Sequence, residues 1–86
     1  MTYSVAVEVR LKEGMADPEG ATIERALPAL GFASIGDVTV GKLIRFEIEA
    51  PDPDQARAEV EELCARFLTN PVIEDATIRI EQPTPA

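Results

Sequence analysis

Histidine and tryptophan are absent from this chain of 86 residues, and cysteine occurs only once. Without histidine, the chain cannot supply a Ser-His-Asp or Cys-His catalytic arrangement, or a histidine-ligated metal site. A single cysteine permits no internal disulfide, no zinc knuckle and no CxxC redox pair, which is typical of proteins of the reducing cytosol. We therefore expect a cytoplasmic protein outside these enzyme and metal-binding classes.

Basic residues are also scarce, with eight Lys and Arg against sixteen Asp and Glu and a formal net charge of −8. Such a domain is repelled by phosphate backbones and anionic lipids, so we expect neither a nucleic-acid nor a membrane partner. No apolar run approaches the roughly 20 residues that a spanning helix needs, and the first residues carry no basic signal-peptide region. The length predicts a single domain over residues 1–82, with a frayed tail at 83–86.

Residues 3–11 alternate between apolar and polar side chains, which predicts a half-buried strand. A helix follows, because Asp17 is a good N-cap, Pro18 suits the first helical position and Gly31 suits the C-terminal end. Pro28 removes a helical hydrogen bond, so it should kink the last turn or convert it to a 3₁₀ turn. The apolar stripe of this helix has i, i+3, i+4, i+7 spacing and comprises Ile23, Ala26, Leu27 and Leu30.

Two further alternating runs, at residues 38–40 and 43–50, flank Gly41 and Lys42 and predict a β-hairpin. The second helix begins at Asp52, which can act as its N-cap, and ends at residues 70–71, an Asn-Pro pair. Residues 73–81 alternate again and predict the last strand.

The resulting order, β-α-β-β-α-β, predicts an α+β fold in which two helices cover one face of a four-stranded antiparallel sheet. This is the ferredoxin-like arrangement. Right-handed crossovers place the first and third predicted strands at its centre. The open face should carry small and charged side chains: Ser4, Ala6, Glu8, Arg10, Arg45, Glu47, Glu49, Thr77, Arg79 and Glu81.

None of the reactive side chains forms a convincing catalytic set. Cys64 lies on the apolar stripe of the second helix, so we interpret it as a small buried hydrophobe. Lys42 is an isolated cation at the predicted hairpin tip, where it either remains solvated or contacts a partner. Residues 70–75 are either a helix stop followed by a strand start or an interface, and the local signals favour neither reading.

Several strings together resemble one known family, in order and without gaps from about residue 3 to residue 81. The first half contains LKEGMADPEG at residues 11–20, IERAL at 23–27 and LGF at 30–32. The second half contains VTVGKLI at 38–44 and NPVIED at 70–75, with Cys64 between them. These strings are similar to those of the PurS family, from which Pro28 departs.

This resemblance implies the non-catalytic small subunit of phosphoribosylformylglycinamidine (FGAM) synthase, a complex of purine biosynthesis that uses ATP, Mg²⁺ and glutamine. It implies two partners, the glutaminase PurQ and the synthetase PurL, together with self-association as a homodimer or dimer of dimers. It implies no cofactor bound by this chain, which would dock PurQ onto PurL and assist ammonia transfer. The partner contacts are predicted at Val40, Gly41, Lys42, Asn70, Pro71, Val72, Ile73, Glu74 and Asp75.

A second reading of the same fold stays open, namely a regulatory module that binds a small effector at a dimer interface. The two readings differ in a measurable way, because the effector module would be stabilised by amino acids or nucleotides without any partner protein.

Overall fold

The computed structural model describes residues 1–81; residues 82–86, including the predicted tail, lie outside the described part. The first element is strand β1, Thr2–Leu11. Its alternating pattern puts the side chains of Val5, Val7 and Val9 into the core and exposes those of Ser4 and Glu8. The strand predicted from this alternation is thus confirmed.

Helix α1, Pro18–Ala26, begins where the side chain of Asp17 accepts a hydrogen bond from the backbone N–H of Gly20, at 2.8 Å. The α-helical hydrogen bonds stop before Pro28, and a 3₁₀ turn, Pro28–Leu30, takes over. Gly31 ends this turn with φ of 95°, a left-handed conformation that glycine adopts without strain. The predicted effect of Pro28 on the last turn is therefore confirmed.

Strand β2 spans Lys42–Glu49, helix α2 spans Pro53–Leu63 and strand β3 spans Glu74–Glu81. The carboxylate of Asp52 caps α2 by accepting from the N–H of Gln55 at 2.8 Å. A wider π-helical turn, Cys64–Leu68, extends α2 before the chain leaves the helix at Thr69.

The three strands form an antiparallel sheet in the order β2-β1-β3. Val7 lies opposite Ile44 of β2 and opposite Ile78 of β3, so one face of the sheet is apolar along all three strands. Helix α2 covers this face through its buried residues Val60 and Cys64. The opposite face carries the small and charged side chains expected from the sequence, most of them exposed.

The prediction of a fourth strand and of a hairpin at residues 41–42 is wrong for the described chain. Residues 35–41 form no helix, strand or turn, and the chain runs into β2 without reversing. The N–H groups of Val38 and Val40 donate to the carboxylates of Glu24 and Asp17, at 2.9 and 2.8 Å. Carboxylate side chains, and not a neighbouring strand, thus accept the hydrogen bonds of this segment. Strand β2 therefore lies at an edge of the sheet, although a central position was predicted for it.

The prediction that both helices cover one face of the sheet is also wrong for α1. Within residues 1–81, α1 packs extensively only against the 3₁₀ turn that follows it. Gly20 is its only buried residue, and Ile23 on its apolar stripe is 43% exposed. The radius of gyration of 16.9 Å exceeds the roughly 12 Å of a compact chain of this length, because α1 and its flanking segments project from the sheet.

The helices in residues 1–81 are too short and too polar for any of them to cross a lipid bilayer.

Candidate functional site

The two segments predicted to contact partners lie at the same end of the sheet. Lys42 of β2 and Ala76 of β3 both lie opposite Val9 of β1. Adjacent strands are about 4.8 Å apart, so the backbones of these two residues are on the order of 10 Å apart. Asp75 lies opposite Arg10 in the next row. Segments separated by about 30 positions in the sequence therefore lie at one end of the sheet.

Residues 70–74 form a compact turn held by its own hydrogen bonds. The carbonyl of Asn70 accepts from the N–H groups of Ile73 and Glu74, and its side chain accepts from the N–H of Val72 at 3.1 Å. The carboxylate of Glu74 in turn accepts from the N–H of Asn70 at 2.8 Å. These bonds give Asn70 and Glu74 structural roles, which supports the helix-stop reading for both residues.

Other residues of this turn are left facing outwards. Val72 is 76% exposed, and Pro71 and Asp75 are also exposed. The carbonyl of Ile73 accepts from the N–H of Lys12, at 2.8 Å, which attaches the turn to the end of β1. The turn is thus a fixed platform that presents an apolar side chain and a carboxylate.

A shallow cleft of about 330 Å³ lies beside this turn, between the end of α2 and strand β3. Its lining includes Lys12, Cys64, Thr69, Pro71 and Asp75. Burial, with a smaller contribution from the charge of Glu61, raises the pKa of the Cys64 thiol. The thiol therefore remains protonated and packs as a hydrophobe, as expected from the sequence.

On the other side of β1, Gly41 makes a close backbone approach. A Cβ atom at this position would lie 2.7 Å from the carbonyl oxygen of Val9, nearer than real Cβ contacts allow. Glycine is therefore required for the chain to enter β2 beside β1. Lys42, the next residue, is exposed. Val40 is half-buried and held through its N–H by Asp17.

Asp17, the N-cap of α1, and two residues of the helix, Gly20 and Glu24, hold residues 38–40, a role that the sequence reasoning missed. One carboxylate oxygen of Asp17 caps the helix and the other holds Val40, while Glu24 holds Val38. Gly20 lies under this segment, because a Cβ atom there would be 2.4 Å from the carbonyl oxygen of Val38. A glycine in the first turn of a helix, where it weakens the helix, was the signal that could have revealed this close approach.

Hydrogen bonds from the backbone N–H groups of Gly20 and then of Val40 lower the pKa of Asp17, because they stabilise its ionised form. Asp17 thus joins α1 to residues 38–41 as a charged clamp. We call residues 17–40 the arm. It begins at Asp17 and ends just before Gly41.

The arrangement presents surfaces for contact rather than a centre for reaction. Within residues 1–81, no group of three or more His, Cys, Asp or Glu residues is placed to hold a metal ion. Large apolar side chains are instead exposed on the arm and on the helices, and such surface apolar groups mark contacts with other proteins. The most exposed of them are Leu30, Phe32, Phe67 and Val72. This is a small α+β protein built to assemble with other chains.

Comparison with known proteins agrees with this class. A family profile, PurS, described as phosphoribosylformylglycinamidine (FGAM) synthase, matches residues 4–82. The PurS subunit of FGAM synthase from Methanocaldococcus jannaschii is 41% identical over 80 residues, which cover 93% of this chain and 96% of that protein. The PurS subunit from Bacillus subtilis is 38% identical over 80 residues, which cover 93% of this chain and 94% of that protein.

Solved structures give the same result. The crystal structure of M. jannaschii PurS matches with a TM-score of 0.85 at 40% identity, over 95% of this chain and 99% of that one. A chain in the structure of PurLQS from Thermotoga maritima matches with a TM-score of 0.85 at 31% identity, over 93% and 98% of the two chains. The chain belongs to the PurS family, the family of the PurS subunit of FGAM synthase.

Proposed function

We propose that this chain docks a PurQ-type glutaminase onto a PurL-type synthetase in a cytoplasmic FGAM synthase complex and so assists ammonia transfer between them. The observation that carries this proposal is that the two predicted contact segments lie at a single end of the sheet. The structure of PurLQS from T. maritima, which contains a similar chain, supports the choice of partners.

The chemistry of the complex gives a docking subunit a clear purpose. Glutamine hydrolysis releases ammonia at one active site, and an ATP-dependent step consumes it at another. Free ammonia is protonated or lost to bulk water between the two sites. A subunit that holds both enzymes in register therefore raises the fraction of ammonia that reaches the acceptor without taking part in either reaction.

The residues of this chain suit such a role. Two exposed groups of opposite charge, Lys42 and Asp75, lie at this end of the sheet, and exposed Val72 adds an apolar contact. We call these three residues the docking surface. The net charge of −8 favours partner surfaces with basic patches. In this proposal the chain binds no cofactor itself, and ATP, Mg²⁺ and glutamine are handled by the partner subunits.

The experiment measures amidine formation by the large synthetase and glutaminase subunits, with and without this protein. Glutamine and ammonium chloride serve as parallel nitrogen sources. We expect glutamine-dependent turnover to require the protein and ammonia-dependent turnover to survive without it. If both activities are indifferent to the protein, docking is wrong and the effector-binding module becomes the better reading.

Two variants locate the contact within the docking surface. Lys42→Ala and Asp75→Ala should each lower glutamine-dependent turnover while ammonia-dependent turnover is retained. The matched controls are Arg57→Ala on α2 and Glu47→Ala on the open face of the sheet, which remove the same charges from exposed positions elsewhere. If both test variants match their controls, the contact lies on another surface.

A further inference from the structure

One row of side chains on the open face of the sheet is basic. Residues directly opposite each other on neighbouring strands project from the same face. Ala6 of β1 lies opposite Arg45 of β2 and opposite Arg79 of β3. Adjacent strands are about 4.8 Å apart, so the two arginine backbones are on the order of 10 Å apart, which lets both long side chains reach over the alanine. The small side chain of Ala6 thus leaves a depression between two guanidinium groups.

The next row along the strands is acidic. Ser4, two residues before Ala6, lies opposite Glu47 of β2 and opposite Glu81 of β3. Because an antiparallel strand rises about 3.4 Å per residue, the two rows are about 7 Å apart. A small residue of β1 again separates two side chains of like charge. The open face therefore presents a pair of positive groups and, one row away, a pair of negative groups.

A pocket of about 550 Å³ lies over both rows, and we call it the open-face pocket. All six residues of the two rows line it, and Leu43 of β2 adds an apolar side chain. Small-molecule sites have volumes of about 300–1,000 Å³, so the pocket is large enough for a small ligand. Its lining contains two arginines and two glutamates, and their charges balance. The pocket therefore suits a ligand with one charge of each sign better than a polyanion.

The charged side chains of the pocket do not neutralise one another. Within residues 1–81, Arg45, Glu47 and Glu81 form no ion pair. Arg79 approaches only the carboxylate of Glu8, which does not line the pocket, at 3.9 Å between Nη2 and Oε2. Both of these side chains are largely exposed, so this contact is weak. Opposite charges one row apart thus remain available to a ligand.

We propose that the open-face pocket binds a small zwitterion of dipeptide length, with its carboxylate in the basic row and its ammonium group in the acidic row. Guanidinium groups bind carboxylates through paired N–H donors, and carboxylates accept hydrogen bonds from an ammonium group. An extended chain spans at most about 3.6 Å per residue, so two residues match the separation of the rows. The charges of a free α-amino acid are too close together to reach both. This site is separate from the docking surface and does not depend on the docking role.

Titration of the isotope-labelled protein with glycylglycine, followed by NMR, tests the site. We expect saturable shifts of the backbone amides in the two rows, with a dissociation constant on the order of 1–10 mM, because exposed ion pairs are individually weak. Glycylglycinamide lacks the carboxylate and N-acetylglycylglycine lacks the ammonium group, so each should bind at least about threefold more weakly. Glycine tests the required length, since it carries both charges at a shorter separation.

Three variants locate the ligand within the pocket. Arg45→Gln and Glu81→Gln should each weaken binding about threefold, because each removes one charge from its row. Ala6→Leu retains every charge but fills the depression, so saturable binding should disappear. The matched control is Arg57→Gln, which removes a positive charge from an exposed position on α2 and should leave binding unchanged. Arg45 and Glu81 are exposed, so their variants keep the test valid even if Ala6→Leu fails to fold.

Several results would overturn the proposal. The first is the absence of saturable shifts at glycylglycine concentrations up to about 50 mM. The second is equal binding of glycine or of the singly charged analogues, which would show that the rows do not recognise two separated charges. Tighter binding of inorganic phosphate would make the pocket a simple anion site, and binding unaffected by the three variants would place the contact elsewhere. None of these measurements involves glutamine-dependent turnover, so failure of this site and failure of docking are distinguishable, and Glu47→Ala remains a control for docking.

Discussion

Replacing Gly20 with alanine should destabilise the protein, although helix propensity alone predicts the reverse. Alanine in a helix is normally favoured over glycine by about 0.5–1 kcal/mol. Here, however, the added Cβ would lie 2.4 Å from the carbonyl oxygen of Val38 and 2.8 Å from a carboxylate oxygen of Asp17. Overpacking of this kind costs about 1–3 kcal/mol. We therefore expect a net loss on the order of 1 kcal/mol.

Thermal unfolding followed by circular dichroism measures this loss. A destabilisation of 1 kcal/mol lowers the Tm of a domain of this size by roughly 4–8 °C. Amide hydrogen exchange should also become faster at Val38 and Val40, because the clash pushes residues 38–40 away from the carboxylates that accept their N–H groups. The thermal and the local readouts should thus change together.

Gly36 provides the control, since a Cβ there meets nothing within 4 Å and its φ lies outside the left-handed region. Gly36→Ala should be neutral or slightly stabilising, because it restricts only the unfolded chain. A Tm for Gly20→Ala equal to or above that of the wild type would refute the close approach of α1 to residues 38–40.

Three further predictions concern single side chains. Because hydrogen bonds lower the pKa of Asp17 in the folded state, its contribution to stability is present above the unfolded value of about 3.9 and disappears as the pH falls through the folded value. Asp17→Asn should therefore lower the urea midpoint at pH 7, and its difference from the wild type should shrink as the pH falls; a difference that stays constant as the pH is lowered would contradict this. The buried Cys64 thiol, with its raised pKa, should react with a thiol reagent at pH 7.5 much more slowly in the folded protein than in urea; equal rates in the two would show an accessible, reactive sulfur. Arg66→Ala removes an exposed ion pair with Glu62 and should change the free energy of unfolding by less than about 0.5 kcal/mol, with Arg57→Ala as the control.

The parts of the fold that depend on local chemistry were predictable from the sequence. Asp17 and Asp52 cap the two helices, Pro28 ends the first, and the second ends at Thr69, just before the predicted stop at Asn70 and Pro71. Each effect acts within about four residues, so the sequence pattern determines it directly. The alternation of the strands likewise predicted which face of the sheet is apolar.

The position of residues 38–40 was not predictable in this way. Val38 and Val40 alternate with polar neighbours as strand residues do, and this pattern favoured a hairpin. The acceptors of their N–H groups are instead carboxylates 14 and 23 residues earlier in the chain. A short apolar pattern contains no information about so distant an acceptor, although a glycine in the first turn of α1 marked where the two segments meet.

The docking surface was likewise predictable from the sequence only in part. The sequence identified two segments, and antiparallel pairing of both β2 and β3 with β1 brings them to one end of the sheet. Asn70 and Glu74 proved to hold the turn itself, which leaves Lys42, Val72 and Asp75 as the residues free to contact a partner. Sequence resemblance could not separate these roles, since both require particular residue types at fixed spacing.

The absent fourth strand and the uncovered α1 have one physical origin. An apolar stripe indicates that a helix packs against another surface, but it does not specify which surface that is. Asp17 and Glu24 hold residues 38–40 alongside α1, and the chain then enters β2 directly, so α1 lies against this segment and does not pack extensively on the sheet. Ile23 and Leu30 on the apolar stripe of α1 therefore stay exposed in the single chain, at 43% and 69%.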